Sequence, residues 1–201
     1  MQVRASTPEG VAEAVVALLG PGRARVLVDG ADAADPAALG DRLVAALAPR
    51  PAVHVPASSF WRPAGQRFEY GKQDEDAFLH DWLDDGALHR EVLDRFLDSG
   101  RVLPALRDPV TDRSVRAAVV ELPEDGVVIV SGAVLLGRGL PAEVAVHLRL
   151  TPAALVRRTP DDQAWTLPAL GRYVAECDPE SLADLVVRVD DPRHPALVVR
   201  G

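Results

Sequence analysis

Hydrophobic positions along this chain alternate between two patterns. Continuous apolar runs occupy residues 25–29, 52–57, 127–131, 144–150 and 185–189. Runs without polar alternation suit strands buried on both faces, as in a parallel sheet covered by helices. Helical periodicity fills the intervals, at residues 36–48, 76–84, 86–98, 152–158 and 165–175, with Leu39, Leu43 and Leu47 marking one apolar stripe. Thr7-Pro8-Glu9 opens an additional first helix with a capping hydroxyl and proline in its first turn, and Gly20-Pro21-Gly22 stops it. Residues 101–120, with the turn Arg107-Asp108-Pro109, read as a short hairpin or irregular insertion. No repeat, low-complexity tract or linker divides the chain, so residues 1–201 form one predicted α/β domain. The strands at 26–29, 127–131 and 144–150 are expected to be neighbours, with Gly30 and Ser131 at the same edge of the sheet.

Composition narrows the setting. Of 201 residues 48% are hydrophobic, enough for a substantial core, and the net charge of −8 argues against nucleic-acid or anionic-membrane partners. Cys177 is the single cysteine, which excludes an intramolecular disulfide or a multi-cysteine metal site and suits a small buried hydrophobe. No apolar run approaches the roughly 18 residues of a membrane span, and no signal-peptide layout is visible, so a cytoplasmic location is expected. Lys72 is the only lysine beside 21 arginines.

The stretch VDGADAADPAALGDRL, Val28 to Leu43, has the outline of a phosphate-binding loop without its chemistry. An apolar strand runs into Gly30 and a helix follows, the context of the pattern G-x-x-x-x-G-K-[ST]. Aligned on Gly30, the second glycine falls on Asp35, the lysine on Pro36 and the hydroxyl on Ala37. Asp35-Pro36 is instead a favourable helix cap followed by a first-turn proline. In that reading the Asp35 carboxylate accepts from the helix's first amides and fills the position an anion would take.

Five further features carry a resemblance: Ser58-Ser59-Phe60-Trp61-Arg62-Pro63, Leu106-Arg107-Asp108-Pro109, Val128-Ile129-Val130-Ser131-Gly132 with Leu135-Leu136, the pair Arg157-Arg158, and the tail from Asp184 to Pro195. With the loop at Gly30, their order resembles the uridine kinase-like branch of the P-loop nucleoside kinases over nearly the whole chain. The resemblance implies a three-layer P-loop kinase-like fold, with a five-stranded parallel sheet and helices on both faces. It also implies nucleoside and ATP at the carboxyl ends of the strands, and an arginine-bearing lid, here about residues 157–166.

Departures from that pattern concentrate at the chemistry. Pro36 supplies neither the lysine charge nor a backbone N–H, and Ala37 offers magnesium no oxygen. A carboxylate about 4 Å from a phosphate charge costs on the order of 4 kcal/mol at an effective dielectric near 20, so Asp35 opposes phosphate. A lost charge-assisted hydrogen bond removes roughly 1.5–3 kcal/mol more. The resemblance places an aspartate general base at Ser58 and an acidic group at Ser131, and serine replaces neither function at neutral pH. Asp29, Asp32 or Glu69 are the nearby carboxylates that could substitute.

The acceptor side is better kept. Phe60, Trp61, Arg62, Tyr70 and Asp108 are the candidate ligand-binding residues, although Arg107 and Asp112 depart from the aromatic and histidine expected beside Asp108. Phe60 and Trp61 equally suit the core, and the arginines a solvated surface. Arg157 and Arg158 either close over an anion or form the polar end of a helix. The five histidines show no metal pattern: His54 and His147 sit in strand-like runs, His80 and His89 lack a second ligand, and His194 lies in a solvated turn. Gln73-Asp74-Glu75-Asp76 reads as a helix start rather than a calcium loop. No metal or cofactor is expected, with ATP and magnesium entering only if an atypical kinase survives. Three functions stand open: a kinase relative keeping a nucleoside-like or small-anion cleft without phosphoryl transfer, a working kinase with rearranged contacts, and a protein-interaction module with an empty cleft.

Overall fold

The computed structural model describes residues 2–199. Eleven strands are present among them: β1 (Gln2–Ala5), β2 (Ala24–Asp29), β3 (Ala52–Pro56), β4 (Arg101–Val102), β5 (Arg107–Asp108), β6 (Arg113–Ser114), β7 (Val120–Glu121), β8 (Val127–Gly132), β9 (Val144–Arg149), β10 (Leu185–Arg188) and β11 (Ala196–Val199). Seven make the central sheet, in the order β1-β11-β10-β9-β2-β8-β3. The five inner strands from β10 to β3 pair in parallel, and β11 is antiparallel to both β10 and β1.

The expected five-stranded parallel sheet is therefore the inner part of a seven-stranded one. Leu197 and Val198 are buried against the sheet's two cores, so β11 covers an edge that β10 would otherwise leave open. Every position of β1 is exposed, so its polar sequence carries no apolar run to reveal it. As expected, β2 lies between β8 and β9, with Val28 opposite Ser131 and Asp29 opposite Gly132. Gly30 and Ser131 thus share one edge.

Helices cover both faces. On one face α1 (Pro8–Val16) and α2 (Pro36–Leu47) bury Val11, Val15, Leu39, Leu43 and Leu47 on Val26, Val28, Ile129 and Val146. Each of those side chains contributes about 1.5–3 kcal/mol by leaving water. Thr7 caps α1, its hydroxyl accepting from the Gly10 N–H at 3.1 Å. The other face packs α4 (Glu75–His80), α5 (Asp85–Leu88), α6 (Asp94–Ser99) and α8 (Leu167–Cys177) over Leu27, Val55, Val128 and Val130. A π-helical turn, His89–Leu93, joins α5 to α6, so the expected helix at 86–98 is one rod with a wide turn in it.

The run expected at 76–84 is shorter. Asp74 caps α4 from the Ala77 N–H at 2.7 Å, the helix ends at His80, and Asp84 caps the next one. Short helices α3 (Ala64–Arg67), α7 (Pro152–Arg158) and α9 (Pro179–Leu182) complete the set. The insertion at 101–120 consists of two antiparallel ribbons, β4 with β7 and, inside it, β5 with β6. No described helix is long and apolar enough to cross a membrane.

Candidate functional site

The loop after β2 is a tight helix start. Residues Asp32–Ala34 make one 3₁₀ turn, and Asp35 follows in the left-handed region at φ 56° and ψ 58°. Its carboxylate accepts from the Ala38 N–H at 3.1 Å, capping α2 as the Asp35-Pro36 pair predicts. Gly30 is explained by its neighbour strand: a Cβ there would stand 2.9 Å from Leu148 Cβ and 3.2 Å from the Leu148 carbonyl. The glycine that gives this loop its phosphate-binding outline is required by strand packing.

Ahead of the loop the carboxyl ends of β2, β3 and β8 open into a cleft of about 260 Å³. Its rim carries Asp32, Asp35, Pro36 and Ala37, its floor Ser58 and Ser131, and its wall Trp61, Phe78, Trp82 and Leu83. Arg138 also borders it, donating to Asp85 at 2.9 Å and to the carbonyls of Val134 and Leu79. An adjoining space of about 230 Å³ shares Asp32, Trp61, Phe78 and Trp82 and reaches Arg67 and Trp165. Asp32 keeps much of its surface open, yet the protein crowding its carboxyl, and secondarily the Asp35 charge, hold it above the usual aspartate range.

Trp82 is the hub of the wall. It meets Trp61, Phe68 and Phe78 edge-to-face at centroid distances of 5.2, 5.8 and 5.3 Å, and Trp165 at 5.6 Å. Arg67, only 5% exposed, lies over the rings of Trp61, Phe68 and Trp82 at 4.8–5.2 Å. It donates to the Arg62 carbonyl at 2.8 Å and to Asp112 at 3.2 Å. The hydrogen bond from Ala64 N–H and the neighbouring Arg67 and Arg107 guanidiniums outweigh desolvation, and keep the Asp112 carboxyl below its ordinary range.

Only part of the expected ligand set is gathered here. Trp61 lines the cleft, whereas Phe60 is 1% exposed and belongs to the core beneath it. Arg62 is half-buried, with its Nε enclosed and without a hydrogen-bond partner. Tyr70 is 72% exposed and borders neither part of the cleft. Asp108 is turned into its own loop, accepting from the Val110 and Thr111 N–H groups at 2.8 and 3.2 Å. Those bonds lower its carboxyl below the ordinary range and fix the turn between β5 and β6.

Neither lid arginine enters the cleft. Arg158 donates to the Val189 carbonyl at 2.6 Å, and Arg157 is exposed at the end of α7. Asp29 is fully buried, accepting from the Leu135 N–H at 2.7 Å and facing His147 Nδ1 at 2.7 Å, so it is committed to holding the segment after β8. Glu69 is exposed and borders neither part of the cleft. Cys177 is half-buried against the Leu136 carbonyl, and burial raises its thiol above the ordinary cysteine range.

Several site residues escaped the sequence reading. Trp82, Phe78, Trp165, Arg67 and Arg138 come from four separate segments, and their convergence has no local spacing signal. His54, expected only as part of a strand-like run, joins Ser131 Oγ through Nε2 at 2.7 Å and Asp41 through Nδ1 at 2.8 Å. One signal for it existed. Gly40 sits in mid-helix, where glycine is unfavourable, and a Cβ there would lie 2.6 Å from His54 Cδ2 and 2.7 Å from Cε1.

No family model matches the sequence, and no curated protein sequence matches it. Solved structures do share its fold. A possible uridine kinase from Bacillus stearothermophilus superposes with a TM-score of 0.72 at 16% identity, over 89% of this chain and 96% of that one. A proposed fructose transport system kinase from a Silicibacter species gives 0.67 at 24% identity, over 90% and 98%. Phosphoribulokinase from Rhodobacter spheroides gives 0.50 at 11% identity, over 83% and 69%. The chain has the fold of the uridine kinase-like P-loop kinases.

Proposed function

On that kinase fold, we propose that this chain binds a small nucleoside-like ligand and has lost ATP-dependent phosphoryl transfer. The observation carrying the proposal is the Asp35 carboxylate on the Ala38 N–H. It occupies the helix start where a phosphate would need unshared amides and a nearby cation. Pro36 has no N–H, Ala37 no hydroxyl, and Asp32 adds a second carboxylate on the same rim. A phosphate placed there meets repulsion on the order of 4 kcal/mol per carboxylate at about 4 Å. Beside this rim the wall of Trp61, Phe78 and Trp82 offers flat apolar surface to a ring, with Ser58 as a polar contact. This is the chemistry of an uncharged, ring-bearing ligand.

Thermal denaturation with a panel of nucleosides, sugars and Mg-ATP tests the reading. Ligand at 100 times its dissociation constant stabilises the fold by about 2.7 kcal/mol. At roughly 2–4 °C per kcal/mol for a domain of this size, the midpoint should rise by about 5–10 °C with a nucleoside and much less with Mg-ATP. A large Mg-ATP shift with transfer of label to uridine would establish an active kinase instead. No shift with any nucleoside would leave a fold used only for protein contacts.

A further inference from the structure

We infer that Ser131, His54 and Asp41 form a serine-nucleophile relay on the floor of the cleft, able to cleave a small apolar ester. The inference goes beyond the binding reading and does not depend on a nucleoside. Three separate elements build the relay. In the parallel register of β3 and β8, His54 stands opposite Ile129 and Pro56 opposite Ser131. His54 and Ser131 therefore share a sheet face, two positions apart. Asp41 comes from α2, which lies across that face.

The contacts run in one line. Nε2 of His54 is 2.7 Å from Ser131 Oγ, and Nδ1 is 2.8 Å from Asp41 Oδ1. With Nδ1–H donated to the carboxylate, Nε2 is left to accept the serine proton. That is the nucleophile, base and orienting group of covalent catalysis, in hydrogen-bond reach of one another. Gly40 leaves the space in α2 that the imidazole fills. Ser131 is only 2% exposed and is one of the residues bordering the cleft.

The surroundings select the substrate. A volume of about 260 Å³ is small for a ligand site, and Trp61, Phe78, Trp82 and Leu83 make its wall apolar. Asp32 and Asp35 on the rim disfavour anions. An uncharged ester with a short acyl group fits both constraints. Ser131 Oγ attacks the ester carbon as its proton passes to His54 Nε2, forming the Oγ–C bond. The C–O bond to the alcohol then breaks, and His54 returns the proton to the leaving alkoxide. Water hydrolyses the acyl-serine by the same exchange and releases the acid, restoring Ser131.

The test is covalent labelling of the purified full chain with a fluorophosphonate, read by intact mass and peptide sequencing, alongside p-nitrophenyl acetate turnover. One adduct is expected, on Ser131, absent in S131A. Removal of the base in H54Q should slow labelling about 100-fold or more. Asp41→Ala should slow it, with Asp41→Glu restoring the rate, while melting temperatures show that each variant is folded. Wild-type protein that takes no adduct, or takes it on Ser58 or elsewhere, overturns the proposal, as does labelling at the wild-type rate in folded H54Q. Labelling needs no nucleoside, so its outcome is independent of the nucleoside melting shift.

Discussion

Replacing Gly40 by alanine is the perturbation that most directly reads the packing of His54. In an unobstructed helix interior the change is favourable by about 0.8–1.0 kcal/mol. Here the new methyl would overlap the imidazole, with ring carbons at 2.6 and 2.7 Å. The ring must move, losing its bonds to Asp41 and Ser131. Each neutral-to-modest hydrogen bond contributes about 0.5–1.5 kcal/mol, and forcing a methyl into packed space costs typically 1–3 kcal/mol. Relaxation of the ring exchanges part of the second cost for the first, so after the propensity gain a net loss of about 1–3 kcal/mol is expected. That corresponds to a fall in melting temperature of about 2–12 °C at roughly 2–4 °C per kcal/mol. In an H54A background the obstacle is gone, and G40A should stabilise by about 1 kcal/mol from propensity. Urea denaturation of the four proteins gives the coupling, expected at about 2–4 kcal/mol. If G40A stabilises the wild-type chain, or costs the same with and without His54, the imidazole does not occupy that space and the reasoning fails.

Two other perturbations act on the loop. Because Asp35 both caps α2 and holds a left-handed conformation, D35A should cost about 1–3 kcal/mol by urea denaturation. D35G should cost only a few tenths, since glycine adopts that conformation freely; equal losses in the two variants would refute the assignment. Asp32, held above the usual range by the protein crowding its carboxyl and by Asp35, is better accommodated in the fold when protonated. Its favourable contribution is present below about pH 3.9, the ordinary value, and is lost as pH rises through the folded value. D32N should therefore melt higher than wild type at pH 7, with the gap closing in acid. A gap that does not change with pH would show that the Asp32 charge is not the cause.

How legible the site was differs between its parts. The Asp35 cap could be read from two adjacent residues, because N-cap and first-turn preferences are local. The ligand wall could not. Trp82 follows the end of α4, Trp165 lies ahead of α8 and Arg67 ends α3, and only chain folding brings these to one centre. Tyr70 and Asp108 carried suitable chemistry in suitable segments, yet one faces solvent and the other caps its own turn.

The sequence by itself determined the inner sheet and its principal helices. Continuous apolar runs suit parallel strands covered on both sides, and the expected neighbours at 26–29, 127–131 and 144–150 are β2 with β8 and β9 on its two sides. Thr7-Pro8 and Asp35-Pro36 likewise set two helix starts through contacts within three residues. Tertiary structure alone decided that the exposed strand β1 joins the sheet, because its partner β11 lies at the far end of the chain. It alone placed Ser131, His54 and Asp41 in one line, through a strand register and a helix crossing that no spacing along the chain encodes. Local free energies select elements, but which side chains meet across elements is fixed only when the elements bury their faces together.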